Sequence, residues 1–327
     1  MLKLDKYLIN NFFESFFTLF IVLFIIASMV LMLTISNMTA LLKINIWEFL
    51  YLYILSLPEI IFYTLPLTFF VTAAISIAKL FENSELITVL SLGVSPKKII
   101  KPFITISFFI SLLLIIITFF SIPTSNILFK NFINTKKIQS QFNFSASSIG
   151  QKFGDWNIFI KEKNKTNYKN IVLFNSKKNL LIIAKKAKTL KNNNYFVLAL
   201  ENGNVYIHKN KQISIIKFKK FNLNQEIKLT KLSFNNIKEY LLKYKEKTNK
   251  YFIISLFPLI AVLFLASISF FHNRYQKNHS IIYAAIISVL YYLSAFATYK
   301  NLYSSLFIIP IFIILAKTIE KKRIKQF

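Results

Sequence analysis

Apolar residues in this chain are gathered into long blocks instead of recurring singly at helical or strand spacing. A block of roughly 20 apolar residues is long enough for a helix to cross the hydrocarbon layer of a bilayer. Six blocks occur, at 12–35, 58–78, 102–122, 251–271, 281–298 and 302–316. The pattern therefore predicts a polytopic α-helical membrane protein with six transmembrane helices, arranged 3+3 around a long central segment.

Positive charge in the short connections predicts the orientation of these helices. The termini and the connections on one side hold 13 basic residues: Lys3, Lys6, Lys79, Lys97, Lys98, Lys101, Arg274, Lys277, Lys317, Lys321, Lys322, Arg323 and Lys325. The short connections on the other side hold only Lys43 and Lys300. Because short cytoplasmic loops are enriched in Lys and Arg, we expect both termini to be cytoplasmic, in a bacterial inner membrane.

The central segment, 124–250, lacks a spanning block and begins and ends on the far side of the membrane. Its short β-branched and aromatic runs, at 158–160, 171–174, 180–184, 195–200, 205–207 and 213–218, are separated by Asn, Lys and Gly, which is typical of strands. We expect a periplasmic all-β domain that forms a sandwich or a jelly-roll-like sheet. The predicted domains are 1–123 (helices 1–3 with a cytoplasmic helix at about 82–93), 124–250 (β-domain) and 251–327 (helices 4–6 and a basic tail).

Composition excludes several kinds of chemistry. The chain has no Cys, so it forms no disulfide, thiolate metal site or Cys nucleophile. Its four glycines, at 93, 150, 154 and 203, cannot build a Walker A phosphate loop. His208, His272 and His279 are not spaced as metal ligands. We therefore expect no cofactor, no metal and no nucleotide hydrolysis by this chain, and the placement of its charge argues against a nucleic-acid partner.

Glu59 is the one candidate for an ionisable group within the predicted spans. About 20 residues separate it from Lys79, which places it at the outer interface and not at the bilayer midplane. A structural role is therefore favoured over a role in proton or ion coupling. Pro58 and Pro66 are expected to bend the same helix, because each removes a backbone hydrogen bond.

The second cytoplasmic loop carries a short helical pattern. Asn83 or Ser84 can cap a helix, Glu85 suits its first turn, and Gly93 ends it before Pro96. Leu86, Val89 and Leu90 then share one face. Such an amphipathic helix either lies in the membrane interface or docks in a groove on a cytoplasmic partner, and the pattern alone leaves both interpretations open.

Several stretches of the sequence resemble the LptF/LptG (YjgP/YjgQ) permease family of the lipopolysaccharide exporter. They are Leu57-Pro-Glu and Leu65-Pro-Leu in the second span, the loop at 84–96 (SELITVLSLGVSP), and Ala184-Lys-Lys-Ala-Lys with Leu198-Ala-Leu-Glu-Asn-Gly in the insert. The plan of three spans, a β-domain and three further spans also resembles that family. The resemblance covers nearly the whole chain, and the loop is its most specific part.

The resemblance implies a non-catalytic subunit of an ABC transporter. Two paralogous permeases pair laterally, bind a dimer of cytoplasmic ATPase subunits, and extract lipopolysaccharide from the outer leaflet of the inner membrane. The jelly-roll domain passes the lipid to a matching periplasmic jelly-roll carrier. Glu85 aligns with the coupling-helix Glu that pairs with a basic residue on the ATPase. The residues implied in coupling are Glu85, Leu86, Val89, Leu90 and Gly93.

Five further residues are candidates for contact with the lipid, and each has an alternative interpretation. Lys43, at the outer end of the first helix, could hold a phosphate, or it is a solvated loop lysine. Leu181, Ile183, Phe196 and Leu198 could line an acyl-chain trough extended by pairing at an open sheet edge, or they form a packed core. Which paralogue the chain represents stays open.

Other classes of function make different demands on the sequence. A membrane-anchored lipid-binding receptor with a periplasmic β-domain would need only one or two spans. A lipid-modifying enzyme would need convergent Asp, Glu or His at the membrane surface, and no such group is visible. A secondary transporter is the nearest alternative, and copurification of an ATPase would distinguish it from the ATP-driven exporter.

Overall fold

The chain is described by a computed structural model covering residues 2–40, 42, 44–141, 151–153, 155–164, 167–191, 195–209, 212–226, 229–270, 278–300 and 306–324. These residues divide into two compact units. A helical unit comprises Met1–Ser36, Leu50–Asn126 and Leu232–Phe327, and a β-strand unit comprises Asn37–Phe49 and Ile127–Lys231. Residues 232–250 thus belong to the helical unit. The predicted boundaries at 123/124 and 250/251, which refer to the membrane surface, stay predictions.

The helices follow the apolar blocks, with extensions beyond them. The first half of the chain forms α1 (Leu2–Thr39), α2 (Ile46–Glu82), α3 (Glu85–Ser91) and α4 (Pro96–Ile116), which continues through a π-helical turn (Ile117–Ser121) into α5 (Ile122–Gln141). The second half forms α6 (Phe234–Lys243), α7 (Lys245–Ser255), α8 (Phe257–Ala261), a 3₁₀ turn (Val262–Phe264), α9 (Leu265–Ser269), α10 (Ser280–Thr298) and α11 (Ile308–Ile324). Helix α2 runs unbroken through Pro58 and Pro66.

Five of the described helical stretches are long and apolar enough to cross a membrane: Lys3–Thr39, Ile46–Glu82, Pro96–Gln139, Lys245–Ser269 and Ser280–Thr298. The sixth predicted span corresponds to α11, which is shorter, with 17 residues. Its predicted first residues, 302–305, lie outside the described residues. The prediction of a polytopic helical protein with an inserted β-domain is confirmed.

The second and fourth spans occupy the centre of the helical unit. We compare the spans by the buried share of their most apolar 18-residue window. This share is 72% for Ile46–Glu82 and 78% for Lys245–Ser269, against 11–28% for the other three spans. The fourth span is interrupted at Leu256, where Pro258 follows in the first turn of α8. Proline cannot continue the hydrogen-bond ladder of the preceding helix, which explains why this span consists of short helices in series.

The β-strand unit contains one antiparallel sheet of six strands. They are β1 (Gln151–Phe153), β2 (Trp156–Asn164), β3 (Asn167–Asn175), β4 (Leu180–Lys191), β5 (Tyr195–Lys209) and β6 (Gln212–Glu226), and each pairs with the next along the chain. The topology is a meander, so the described strands contain no Greek-key crossover of the kind found in a jelly roll.

A line of skipped register positions bends this sheet across its strands. The pairing omits residues 161, 170, 185, 202 and 219, which lie side by side on β2 to β6. Asn170 and Asn202 on this line have a positive φ, of 53° and 54°. The buried side chains change phase there, so Ala184 and Ala187, three residues apart, are both buried. Buried residues on both sides of this line form one core. The jelly-roll-like form of the sheet stays a prediction, since the observed strand order is that of a meander.

Gly203 lies beside the bend, where the strands approach closely. A Cβ atom at this position would lie 2.3 Å from the carbonyl oxygen of Ile183 and 2.6 Å from the ring of Phe218. No side chain fits at these distances without a shift of the neighbouring backbone. The Asn202-Gly203 pair in the sequence therefore serves the bend of the sheet and not a hairpin turn.

Candidate functional sites

The short helix α3 connects the second and third spans, and its ends are formed by the backbone. Ser84 at the N-cap has a left-handed φ of 62°, and its hydroxyl makes no capping bond, so the predicted side-chain cap is wrong. The Ser84 carbonyl instead accepts the Thr88 hydroxyl at 3.0 Å. At the other end Gly93 has a φ of 83° and its N–H donates to the Leu90 carbonyl at 2.9 Å. This is the predicted glycine stop.

The apolar face of α3 is turned toward the protein's own core. Leu86 is only 2% exposed, and Ile87 and Leu90 pack against the same core cluster. Leu92, after the last turn, is 78% exposed. Leu86 and Leu90 therefore anchor the helix in the helical unit. Its exposed side chains lie on the opposite side.

Glu85 lies at the edge between these two sides. Its carboxylate accepts a hydrogen bond from the Tyr7 hydroxyl at 2.5 Å and one from the Asn83 amide at 3.2 Å. Tyr7 belongs to α1, so this contact ties the loop helix to the first span. Sequence reasoning missed Tyr7, because nothing in the spacing of two residues 78 positions apart indicates contact.

The five residues assigned to coupling thus fall into two groups. Leu86 lies in the core cluster and Leu90 packs against it. Glu85 and Val89 are half-exposed without belonging to that cluster, and Gly93 is exposed. A partner would meet the second group together with Leu92. Leu92 follows the amphipathic pattern by two residues, and for this reason the sequence did not single it out.

The four candidate lipid contacts in the sheet lie on opposite faces. Phe196 and Leu198 are 4% and 0% exposed, inside the core. Leu181 is half-buried and Ile183 is 40% exposed, and both lie on the outer face because side chains alternate along a strand. On that face Phe159 pairs with Val172, which in turn pairs with Ile183. The four residues therefore cannot line a single trough.

Strand β6 is a long edge of the sheet. Among the described strands it pairs only with β5. Ile213, Ile215 and Ile216 on it are 64%, 57% and 54% exposed. Exposed edges of this kind are templates for pairing with another sheet, and inserted lysines moderate that tendency. Lys217, Lys219 and Lys220 interrupt the apolar run here.

A shallow pocket of about 390 Å³ lies on the outer face of the other half of the sheet. Its lining carries both signs of charge, from Glu162, Glu201, Lys169, Lys186 and Lys188. Tyr168 is also a lining residue, and burial raises its pKa. The opposing charges give the pocket no clear preference for an anion or a cation, and no cluster of metal-ligating side chains occurs among the described residues.

Two further candidates concern the outer end of the spans. Lys43 lies outside the described residues. Glu59 accepts a hydrogen bond from the Tyr251 hydroxyl at 2.7 Å, which links the second span to the fourth and agrees with the structural role that its position predicted. Lys250, beside Tyr251, was missed by the sequence reasoning because it falls at the edge of an apolar block.

The sequence was compared with models of known protein families. A family model described as lipopolysaccharide export system permease LptF/LptG matches residues 6–319. The match includes the spans, the loop helix and the whole sheet. The chain belongs to the LptF/LptG family. A comparison with individual curated proteins gave no match.

Membership in the LptF/LptG family confirms the resemblance carried by the loop and insert motifs. The chain is accordingly a multi-pass inner-membrane permease of lipopolysaccharide export. Permeases of this family are transmembrane subunits that generally catalyse no reaction. The absence of a Walker A sequence in the chain agrees with that role.

Proposed function

We propose that this permease is one subunit of an ATP-driven exporter that extracts lipopolysaccharide from the outer leaflet of the inner membrane. In this proposal it pairs with a paralogous permease and with a dimer of cytoplasmic ATPase subunits, and both of its termini are cytoplasmic. The exposed β6 edge, in the periplasm, pairs with the sheet of a carrier protein and passes the lipid onward. Exposed apolar residues at this edge support that part of the proposal.

The observation that carries the proposal is the way α3 is mounted in the family-matched loop. Two leucines fix it to the core, and Leu92 and one side of Glu85 remain available to a partner. A helix anchored in this way can transmit a displacement to the spans on either side. A helix lying in the membrane interface would instead turn its leucines to lipid, and Leu86 is only 2% exposed.

Glu85→Ala and Glu85→Lys test this assignment. If Glu85 pairs with a basic residue of the ATPase in a desolvated interface, its loss weakens association by about 2–5 kcal/mol, partly because the partner charge is left unpaired. We expect loss of ATPase copurification and of ATP turnover in the reconstituted complex. Membrane insertion and thermal stability of the permease should change little.

Tyr7→Phe is the matched control. It removes the internal hydrogen bond to Glu85 and leaves the carboxylate free for a partner. If Tyr7→Phe keeps ATPase association while Glu85→Ala loses it, Glu85 contacts the partner directly. Equal losses in both variants would show that Glu85 only orients α3, and normal association in all three would refute the coupling role.

A further inference from the structure

Lys250 lies in the second turn of α7, with its ammonium group over three aromatic rings. The nitrogen is 4.5 Å from the centroid of Phe296, 5.1 Å from that of Tyr251 and 5.6 Å from that of Tyr63. These rings come from α10, α7 and α2, so three spans meet around one cation. We call Lys250 and these three rings the aromatic cage. Distances below about 6 Å are those of cation–π contacts.

The cage holds a cation without an ion pair. Among the described residues, no carboxylate lies within 4 Å of the Lys250 nitrogen, since the ion pairs found there involve other lysines. Glu59 is the nearby acid, and it accepts the Tyr251 hydroxyl at 2.7 Å. A half-buried charge is costly to desolvate and normally has a partner or a function. Ring contacts recover only part of that cost.

The cage is open to an approaching ligand. Lys250 is half-buried, and Phe296, the nearest ring, is 45% exposed. The opening lies at the end of the fourth span where the chain enters it from the β-strand segment, which is the end that the predicted topology assigns to the outer interface. Basic pockets between membrane helices bind lipid head groups on the cytoplasmic side of membranes. The same chemistry applies at the outer end, because a lysine serves as a point charge for phosphate.

We propose that the aromatic cage binds the phosphate of a lipid head group through Lys250. The rings orient the ammonium group and exclude water from one side, and the apolar surfaces of the spans below accept the acyl chains. The identity of the lipid as lipopolysaccharide rests on the proposed function, whereas the binding of a phosphate-bearing lipid does not.

The test uses the purified full chain in micelles and measures bound lipid by native mass spectrometry. The probes are diphosphoryl lipid A, its dephosphorylated form and phosphatidylglycerol. The variants are Lys250→Gln, Lys250→Arg and Lys247→Gln, the last removing an exposed lysine on the same helix. Lys250→Met, which keeps the aliphatic stem over the rings, replaces Lys250→Gln if that variant does not fold.

We expect Lys250→Gln to weaken binding of diphosphoryl lipid A about tenfold, the effect of losing one charge-assisted hydrogen bond. Lys250→Arg and Lys247→Gln should bind as the wild type does, and the dephosphorylated lipid should not distinguish the variants. Equal binding by wild type and Lys250→Gln with both phosphate-bearing lipids would overturn the proposal and leave the permease function intact.

Comparing the two lipids distinguishes a failure of the proposed phosphate site from a failure of the proposed function in lipopolysaccharide export. A loss confined to phosphatidylglycerol would support the cage as a phosphate site for membrane phospholipid. If the wild type bound phosphatidylglycerol through Lys250 but no lipid A, the site would stand and the lipopolysaccharide proposal would fail. Lack of binding by the wild type to both lipids would refute the site.

Discussion

Helices α1 and α2 have nearly equal length, with 38 and 37 residues, and both are strongly apolar, yet they occupy opposite positions in the helical unit. Only 11% of the most apolar window of α1 is buried, against 72% for α2. Hydropathy identifies both as spans because it reports the match to lipid. It carries no information on which helix is central.

Small and hydroxyl-bearing side chains are concentrated in one buried stretch of α2. The buried part of α2 carries Ala73 and Ala74 beside Thr68, Thr72 and Ser76. Small and hydroxyl-bearing residues let helices approach closely in a membrane, where burial of apolar surface gives no gain over lipid. Helix α1 instead turns large side chains outward, such as Phe17, Met29 and Leu33, which are 57%, 62% and 67% exposed. Its outer face is therefore available for lipid or for the paralogous permease proposed above.

The largest expected difference between the two helices concerns their phenylalanines. Phe70 of α2 is fully buried and its ring packs edge-to-face on Phe257, with centroids 5.7 Å apart. Phe70→Ala leaves a cavity and should lower the free energy of unfolding by about 2–4 kcal/mol, at or below the range for soluble cores, since the unfolded helix stays in lipid. Reversible unfolding in mixed micelles measures this change.

Phe17→Ala on α1 is the matched control, and we expect a change within about 0.5 kcal/mol. A similar loss in both variants would show that the exposed face of α1 is packed in the isolated protein. The comparison between a central and a peripheral helix would then fail.

An intermediate loss of stability is expected where a hydrogen bond joins a peripheral helix to a central one. The Tyr291 hydroxyl of α10 donates to the Ile253 carbonyl of the fourth span at 2.9 Å, and both residues are buried. Tyr291→Phe should lower the free energy of unfolding by about 1 kcal/mol. The loss stays small because the Ile253 carbonyl still accepts a hydrogen bond from the Leu256 N–H. Tyr53→Phe, which removes a less buried bond to Ser28, should cost less in the same unfolding assay. The reverse order would contradict the link.

The smallest effect is expected for the hydroxyls that bond within their own helix. Thr68 is fully buried, but its hydroxyl donates to the Thr64 carbonyl one turn earlier, at 2.7 Å. Thr68→Val keeps the shape of the side chain and should change stability by at most about 0.5 kcal/mol, in either direction. Thr34→Val on α1, where the exposed hydroxyl bonds to Val30, is the counterpart. A loss well above this for Thr68→Val alone would mean that its hydroxyl joins two helices.

Sequence reasoning worked where one segment is sufficient to define a feature. Apolar length predicted the spans, strand-like runs predicted a β-domain, and Gly93 predicted the end of α3. It failed where a feature needs two distant segments. The Tyr7–Glu85 bond, the burial of Leu86 and the aromatic cage around Lys250 each join residues that are far apart along the chain.

The two faces of the sheet show the same division. Alternation along β4 and β5 determined that half of their apolar residues share a face, because a strand has a period of two. Which half faces the core, and the phase change at residues 185 and 202, depend on how all the strands bend together. The sequence by itself thus determined the elements and the membrane character of the protein, since these follow from transfer to lipid and from local backbone preference. Only the tertiary structure decided which span is central, which leucines anchor α3 and where Lys250 is held, because those outcomes depend on packing between segments.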